Sequence, residues 1–252
     1  MDPGYVAVHL AEEREHWWFR GRLAILRATL ARALGGRRAR LLDLGCGAGG
    51  VLAALGEFGD AVGMEANPDL LAEARARGLD ARPGALPDDA VVTPGWADVV
   101  LLLDVVEHLD DDVAAFRAAR RLAAAGALLL VTVPAHPWLW SAHDVTLGHR
   151  RRYTRAGLRA AVERAGWRVR HVSHFNALLL PGVAAVRAVR RLAGGGGHDL
   201  ARPPAPFNAL LARLFALERF VAPRWSLPCG ASLLLLAHAP EPGGAPRAGL
   251  TR

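Results

Sequence analysis

The sequence has no lysine, and cysteine accounts for only two of its 252 residues. Two cysteines cannot form the disulfide framework of a small secreted protein. No apolar run reaches the roughly 20 residues that span a bilayer. The first residues include acids where the start of a signal peptide is basic. We therefore predict a cytoplasmic location, with peripheral contact to the inner membrane surface as an open alternative.

The positive side chains are all arginine, and the net charge is +7. Arginine together with abundant alanine and glycine is typical of a GC-rich genome, so the pI of about 10.9 does not lead us to predict a nucleic-acid partner. Acidic residues become rare after Val113. The second half of the chain is therefore predicted to present a cationic surface that can face phosphate.

Apolar runs and helical segments alternate along most of the chain. Hydrophobic residues make up 52% and charged residues 22% of the sequence, which predicts a folded domain with a large core. Short apolar strands that alternate with helices predict βαβ units in a mostly parallel sheet, the α/β class. The predicted strands are residues 40–44, 61–64, 80–82, 97–103, 127–133 and 167–172, followed by a last strand at 231–238.

Four parts are predicted along the chain. They are an N-terminal helical lid at residues 1–38, with its helix at 12–34, a core at 39–175 and 230–240, a helical insertion at 176–229 and a disordered tail at 241–252. The insertion contains two apolar, arginine-bearing helices, at 177–192 and 207–221, joined by a Gly- and Pro-rich linker at 193–206. Such helices suit a surface of anionic lipid, a cap packed over the core or a dimer interface.

A glycine-rich turn after the first strand is the first candidate ligand site. Gly45 and Gly47 allow a sharp turn and a close approach of the backbone to a ligand. Glu65, about 20 residues further on, suits a ribose diol, and both features also fit a dinucleotide site. Asp43 favours a different ligand, because a carboxylate repels a pyrophosphate but attracts the ammonium and sulfonium groups of S-adenosylmethionine.

Three segments together carry a family resemblance. Residues 41–49, 62–65 and 97–108 resemble the first, second and fourth motifs of class I S-adenosylmethionine-dependent methyltransferases, and the small-molecule enzymes of the ubiquinone pathway in particular. The resemblance implies a Rossmann-like seven-stranded sheet whose last strand is antiparallel. It also implies S-adenosylmethionine as the cofactor.

The resemblance places the cofactor along the carboxyl ends of four strands. Asp43 and the glycines would hold the methionine part, and Glu65 would bind the ribose. The family often places an acid after the third strand to bind the adenine amine, and no acid stands in that position here. Asp88 after a shift of the loop, or the backbone groups at Gly84 and Ala85, are the candidates for that role. The residues implied as cofactor contacts are Asp43, Gly45, Cys46, Gly47, Glu65, Ala66, Gly84, Ala85 and Asp104.

Asp104, Glu107 and His108 form a polar group directly after the fourth strand. A helical turn after Asp104 would place it on one face with Glu107 or His108. His108 or Glu107 can then act on a proton of the substrate or bind the substrate. The three side chains are also candidate ligands for a divalent metal, although we predict that none is bound. A purely structural network is the remaining interpretation.

The segment after the fifth strand, residues 134–153, is rich in Trp, His and Arg. Loops at this edge of a sheet carry function, so we predict that Trp138 and Trp140 cover the methyl-transfer cleft. His143, paired with Asp144, or His149 can accept a proton from the acceptor. Alternatively, the tryptophans pack on the N-terminal helix and the arginines form a solvated surface.

The predicted function is methyl transfer to a small, hydrophobic or lipid-linked acceptor, with oxygen favoured as the atom that is methylated. The apolar, basic insertion is the feature that suggests such an acceptor. An RNA or protein methyltransferase is one alternative, because the second half of the chain is basic. A cofactor-binding protein without catalysis is another, because the cofactor motifs do not by themselves require a reaction.

Overall fold

A seven-stranded sheet forms the centre of the protein. Residues 10–192 and 202–241 are described by the structure, which is a computed structural model. The strands are β1 (Ala39–Leu44), β2 (Gly59–Glu65), β3 (Ala81–Pro83), β4 (Ala97–Leu103), β5 (Ala123–Pro134), β6 (Arg168–Phe175) and β7 (Ser232–His238). Each predicted strand is present, and the largest difference is at β5, which begins four residues earlier than predicted.

The strand order is β3-β2-β1-β4-β5-β7-β6. The first five strands pair in parallel, and β7 runs antiparallel between β5 and β6. This arrangement confirms the predicted Rossmann-like sheet with an antiparallel last strand. After β1 the chain builds β2 and β3 on one side and then crosses to β4 on the other. The carboxyl ends of β1 and β4 therefore form the crevice at which open α/β sheets bind ligands.

Helices cover both faces of the sheet. They are α1 (Trp17–Leu34), α2 (Gly50–Leu55), α3 (Pro68–Ala76), α4 (Asp112–Leu122), α5 (Ala142–Leu147), α6 (Arg155–Arg164), α7 (Leu180–Leu192) and α8 (Ala205–Ala216). In β4, Val99 and Leu101 pack beneath α1 and α8, whereas Val100 and Leu102 face α4 and α6. Within the described ranges, no helix is both long and apolar enough to cross a membrane.

The sequence predicts that the N-terminal helix begins at residue 12, but α1 begins at Trp17. The chain makes a turn before it because a tertiary contact holds Glu13. One carboxylate oxygen of Glu13 accepts the Gly50 N–H at 3.1 Å, and the other pairs with Arg77 at 2.7 Å. This contact anchors the start of α1 beside the glycine-rich turn.

The second helix of the insertion, α8, packs against α1. The Asn208 side chain accepts the Trp17 N–H and donates to the Glu15 carbonyl, and the buried Phe215 ring stacks on Phe175. Most of the predicted linker at 193–206 and the tail beyond residue 241 lie outside the described residues. Through Asn208 and Phe215, α8 packs against both the N-terminal segment and the end of β6.

Truncation of Phe215 is expected to destabilise the protein. The ring is fully buried between α1 and the sheet, so Phe215→Ala leaves a cavity and removes its packing contacts. We expect the free energy of unfolding to fall by about 3–5 kcal/mol, as measured by urea denaturation. Leu214→Ala is the matched control, because Leu214 is exposed and its loss should cost about 0.5 kcal/mol or less. Equal losses for the two variants would contradict the packing described here.

Candidate active site

A cavity of about 740 Å³ lies at the crevice between β1 and β4. Gly45 follows β1 and Asp104 follows β4, and both line it. Trp17 and Trp18 of α1 and Val183 of α7 contribute apolar walls. The N-terminal segment and the insertion thus enclose a site that the sheet alone would leave open.

The glycine-rich turn and Glu65 form one wall of the cavity. Gly47 has a φ of +58°, a left-handed conformation that favours glycine, and its N–H donates to Glu65 at 2.8 Å. The second carboxylate oxygen of Glu65 accepts the Asn67 N–H, also at 2.8 Å. Two backbone donors therefore orient Glu65, and its remaining acceptor capacity can serve the two hydroxyls of a ribose. Ala66 lines the cavity beside it.

Two residues predicted to contact the cofactor do not line the cavity. Asp43 lies below the turn and is 2% exposed, and its Oδ1 has no hydrogen-bond partner. Burial raises the pKa of Asp43 to about 7, although nearby Arg22 opposes the shift. Cys46 packs between Leu52 and Gly63, and burial raises the pKa of its thiol above the usual range. Both side chains are buried, and they support the glycine-rich turn from inside the core.

Gly84 and Ala85 line the cavity, but their backbone donors are already engaged. The Gly84 N–H donates to the Glu65 carbonyl at 3.2 Å, and the Ala85 N–H donates to the Asp89 carboxylate at 2.8 Å. An adenine amine is a donor, so the carbonyl groups of this segment are the better partners for it. Asp88, which lies next to Asp89, does not line the cavity.

Arg22 is a site residue that the sequence analysis did not identify. Its buried guanidinium forms an ion pair with Asp104, donates to the Thr132 hydroxyl at 3.2 Å and lies 5.1 Å from the ring centre of Trp18. Its Nε has no partner, and the residue lines the cavity. No local signal marked it, because Arg20 and Arg27 lie on the same helix.

Glu107 is the buried acid of the site. It is fully buried, lines the cavity, and neither carboxylate oxygen has a hydrogen-bond partner. Burial raises the pKa of Glu107 well above its usual range, and the neighbouring Asp104 raises it further. A buried carboxyl group without partners is costly, so it is suited to bind a group that enters the cavity.

His149 forms a dyad with Asp144. Its Nδ1 lies 2.9 Å from Oδ1 of Asp144, and the same carboxylate oxygen accepts from Arg152 at 2.7 Å. Burial alone would raise the pKa of Asp144, but the hydrogen bond from His149 and the Arg152 charge outweigh it and hold the pKa well below its usual range. Asp144 is therefore ionised and can only accept, which places a proton on Nδ1 of His149.

The structure places all four predicted catalytic residues on the cavity wall, and their roles remain predictions. They are Glu107, His108, His143 and His149. The rings of His108 and His149 have centroids 4.8 Å apart. Burial and the nearby His149 together lower the pKa of His108 to about 4, so His108 is neutral at pH 7. The expected pairing of Asp144 with its neighbour His143 is replaced by pairing with His149.

The composition of the possible metal ligands also differs from the predicted set. Glu107, His108 and His149 each offer one ligand atom, and these three atoms lie within 4.8 Å of one another. Asp104 is engaged instead with Arg22 and Thr132. Asp104 has a φ of +59°, outside the helical region, and the single helical turn that follows it begins only at Val106.

The predicted tryptophan cover is wrong. Trp138 is 60% exposed and contacts His136, and neither it nor Trp140 lines the cavity. The short turn at Pro137–Leu139 buries Leu139 and directs Trp138 to solvent. Trp17 and Trp18 of α1 line the cavity in their place.

The chain matches a known family over more than half its length. The model for the family described as "Methyltransferase domain" matches residues 13–172. Ubiquinone biosynthesis O-methyltransferases from Xanthomonas campestris and Methylococcus capsulatus are 35% and 36% identical over 101 residues. These matches cover 37% of this chain and 42% of each relative, so the shared segment spans less than half the length of those enzymes.

Solved structures share the fold across nearly the whole chain. A Haloferax volcanii protein in complex with the Trm112 methyltransferase activator has a TM-score of 0.63 at 19% identity, and the alignment covers 96% of this chain and 97% of that one. A Thermotoga maritima protein described as a possible histamine N-methyltransferase has a TM-score of 0.57 at 15% identity, with 93% and 98% covered.

The matched family segment contains the glycine-rich turn, Glu65 and the polar group after β4, which the structure brings to one cavity. The chain shares its fold with the two solved structures. This chain therefore belongs to the methyltransferase-domain family, the class I S-adenosylmethionine-dependent methyltransferases.

Proposed function

We propose that this protein methylates an oxygen atom of a small, hydrophobic acceptor. The observation that carries the proposal is the group formed by Glu107, His108 and His149 in a cavity whose other walls are largely apolar. A hydroxyl must lose its proton when it is methylated, and this group is the part of the cavity wall suited to take it. The naming of the matched relatives as O-methyltransferases supports the same choice.

The residues on the cavity wall fit S-adenosylmethionine, the cofactor of the family. Glu65 offers acceptors for the ribose hydroxyls, and the partner-free Nε of Arg22 can donate to the methionine carboxylate. When bound, the cofactor supplies a methyl group activated by its sulfonium. A side chain at Gly45 would lie 2.6 Å from Val105, so the glycine-rich turn rests directly on the segment that leads to Glu107. Because of this contact, the cavity wall formed by the glycine-rich turn lies beside the group of Glu107, His108 and His149.

His149 is the proposed general base. With a proton on Nδ1, its Nε2 carries the free lone pair and can accept the acceptor proton. The ionised Asp144 then stabilises the imidazolium, as the carboxylate does in other Asp–His pairs. Glu107 holds the acceptor through the oxygens that have no partner in the protein. Trp17 and Trp18 line the cavity and limit the access of water to it.

A divalent cation bound by the same group is the second candidate for this step. A carboxylate and two imidazoles within 4.8 Å of one another form a suitable donor set. Such an ion would hold the acceptor oxygen and lower its pKa. The two candidates differ in one outcome, because only the second predicts that a chelator abolishes methyl transfer.

Methyl-tritiated S-adenosylmethionine tests the proposed acceptor class. The purified protein is incubated with catechol as a simple probe, and separately with a bacterial lysate that is then divided into lipid, small-molecule, RNA and protein fractions. We expect label in methylated catechol or in the lipid and small-molecule fractions. Label confined to RNA or protein would overturn the proposed acceptor, and cofactor binding without label in any fraction would favour a non-catalytic role.

A further inference from the structure

The outer face of α8 and of the segment after it is unusually apolar. We define it as the α8 face, which consists of Phe207, Leu210, Leu214, Leu217, Phe220 and Trp225. Each of these side chains is between 36% and 62% exposed. On α8, Phe207, Leu210, Leu214 and Leu217 recur at intervals of three and four residues, so they form one stripe along the helix. Soluble proteins rarely expose a contiguous group of this kind unless it binds something.

The stripe faces outward because the opposite side of α8 is firmly docked. Ala212 and Phe215 are buried against α1 and the sheet, and Asn208 is hydrogen-bonded to the backbone at Glu15 and Trp17. A rotation of α8 that covered the stripe would break these contacts. The apolar residues therefore remain exposed in the folded chain.

Arginine is the only exposed charged residue type in this part of the chain. Arg213, Arg219 and Arg224 are exposed among the apolar residues, and Arg219 lies over the Phe220 ring at 4.6 Å. Glu218 is the sole acid between residues 202 and 226, and it is 3% exposed. Its carboxylate accepts the N–H groups of Ala177 and Leu178, so it does not neutralise the arginines. The surface thus combines apolar side chains with uncompensated positive charge.

We propose that the α8 face binds the surface of an anionic phospholipid bilayer. Apolar and aromatic side chains enter the boundary of the acyl chains, while arginines pair with lipid phosphates. A second copy of the chain is a poorer occupant, because a twofold contact would bring six arginines together, three from each copy, and the α8 face itself has no exposed acid to pair with them. An anionic surface matches both components of the face.

The proposed contact lies close to the walls of the methyl-transfer cavity. Glu218, which directly follows Leu217, binds the two N–H groups that precede α7. Val183 of α7 lines the cavity, and Val186 of the same helix is exposed. A bound bilayer would therefore adjoin the segment that borders the cavity, which suits an acceptor dissolved in the membrane. The lipid contact goes beyond the proposed O-methylation and does not depend on it.

Vesicle co-sedimentation of the full chain tests the proposal. Vesicles of phosphatidylcholine alone are compared with vesicles that also contain phosphatidylglycerol. We expect binding to the anionic vesicles only. R219E and R224E each reverse one charge, and each should lower the affinity for these vesicles about fivefold. Leu210→Ser with Leu214→Ser should weaken binding at least about tenfold. Arg117→Glu, on α4 at the opposite face of the sheet, is the charge control and should lose far less.

Each variant is first shown to bind S-adenosylhomocysteine with unchanged affinity, which establishes that it is folded. No binding of the parent chain to anionic vesicles would overturn the proposal. Equal losses for Arg117→Glu and R219E would overturn the choice of face. A dimer in light scattering that Leu214→Ser dissociates, without vesicle binding, would identify a second copy as the occupant instead. Methyl transfer to a soluble catechol should be unchanged in the face variants, so failure of this proposal is distinguishable from failure of the proposed function.

Discussion

His149→Ala should lower kcat by about 100- to 10,000-fold, the range expected for loss of a positioned general base. The substitution removes the imidazole that Asp144 orients and leaves the acceptor hydroxyl without a proton acceptor. The affinity for S-adenosylhomocysteine should change little, because the proposed contacts to the cofactor are at Glu65 and Arg22. The rate of methyl transfer to catechol measures the effect on kcat. Calorimetric titration with S-adenosylhomocysteine measures the effect on affinity.

His238→Ala is the matched control for this prediction. His238 lies at the end of β7, outside the residues that line the cavity, so its loss should leave kcat unchanged. If His149→Ala retained the parent rate, His149 would not be the base. A parent rate that falls to background with chelator and returns with added divalent metal would instead assign the group of Glu107, His108 and His149 to a metal ion.

Glu65→Ala should weaken binding of S-adenosylmethionine by about 10- to 100-fold, the equivalent of one strong hydrogen bond from a hydroxyl to a charged group. Its carboxylate is also the acceptor for the Gly47 and Asn67 N–H groups, so the substitution loosens the glycine-rich turn as well. Isothermal titration calorimetry gives the dissociation constant directly. The rate at saturating cofactor should fall far less than the affinity.

Two further substitutions make this prediction specific. Glu65→Gln keeps one carbonyl acceptor and should recover part of the affinity. Glu57→Ala removes an exposed acid whose partner is Arg27, so it should leave the affinity unchanged. An unaltered dissociation constant for Glu65→Ala would show that this carboxylate does not bind the cofactor.

The class of the fold and the position of the cofactor turn were predictable from local patterns. Residues 99–103 are an uninterrupted apolar run because this part of β4 is buried on both faces, and this alone predicts a central strand of a parallel sheet. Gly45 and Gly47 adopt positive φ values that favour glycine, so the turn is visible as glycine spacing. Thr154 and Asn67 cap their helices through backbone N–H groups no more than three positions away, so these helix starts also depend on local sequence.

The tertiary structure alone determined which side chains meet in the cavity. Arg22 pairs with Asp104 across 82 positions of sequence, and no local pattern reports a contact at that distance. Whether Asp144 pairs with His143 or with His149 depends on how α5 folds back after β5, and the ion pair with Arg22 engages Asp104, which the sequence placed among the possible metal ligands. The sequence by itself thus determined the family, the sheet and the glycine-rich turn, because these depend on burial periodicity and backbone conformation. Three-dimensional packing decided which polar groups meet in the cavity, because they come from residues far apart in the chain.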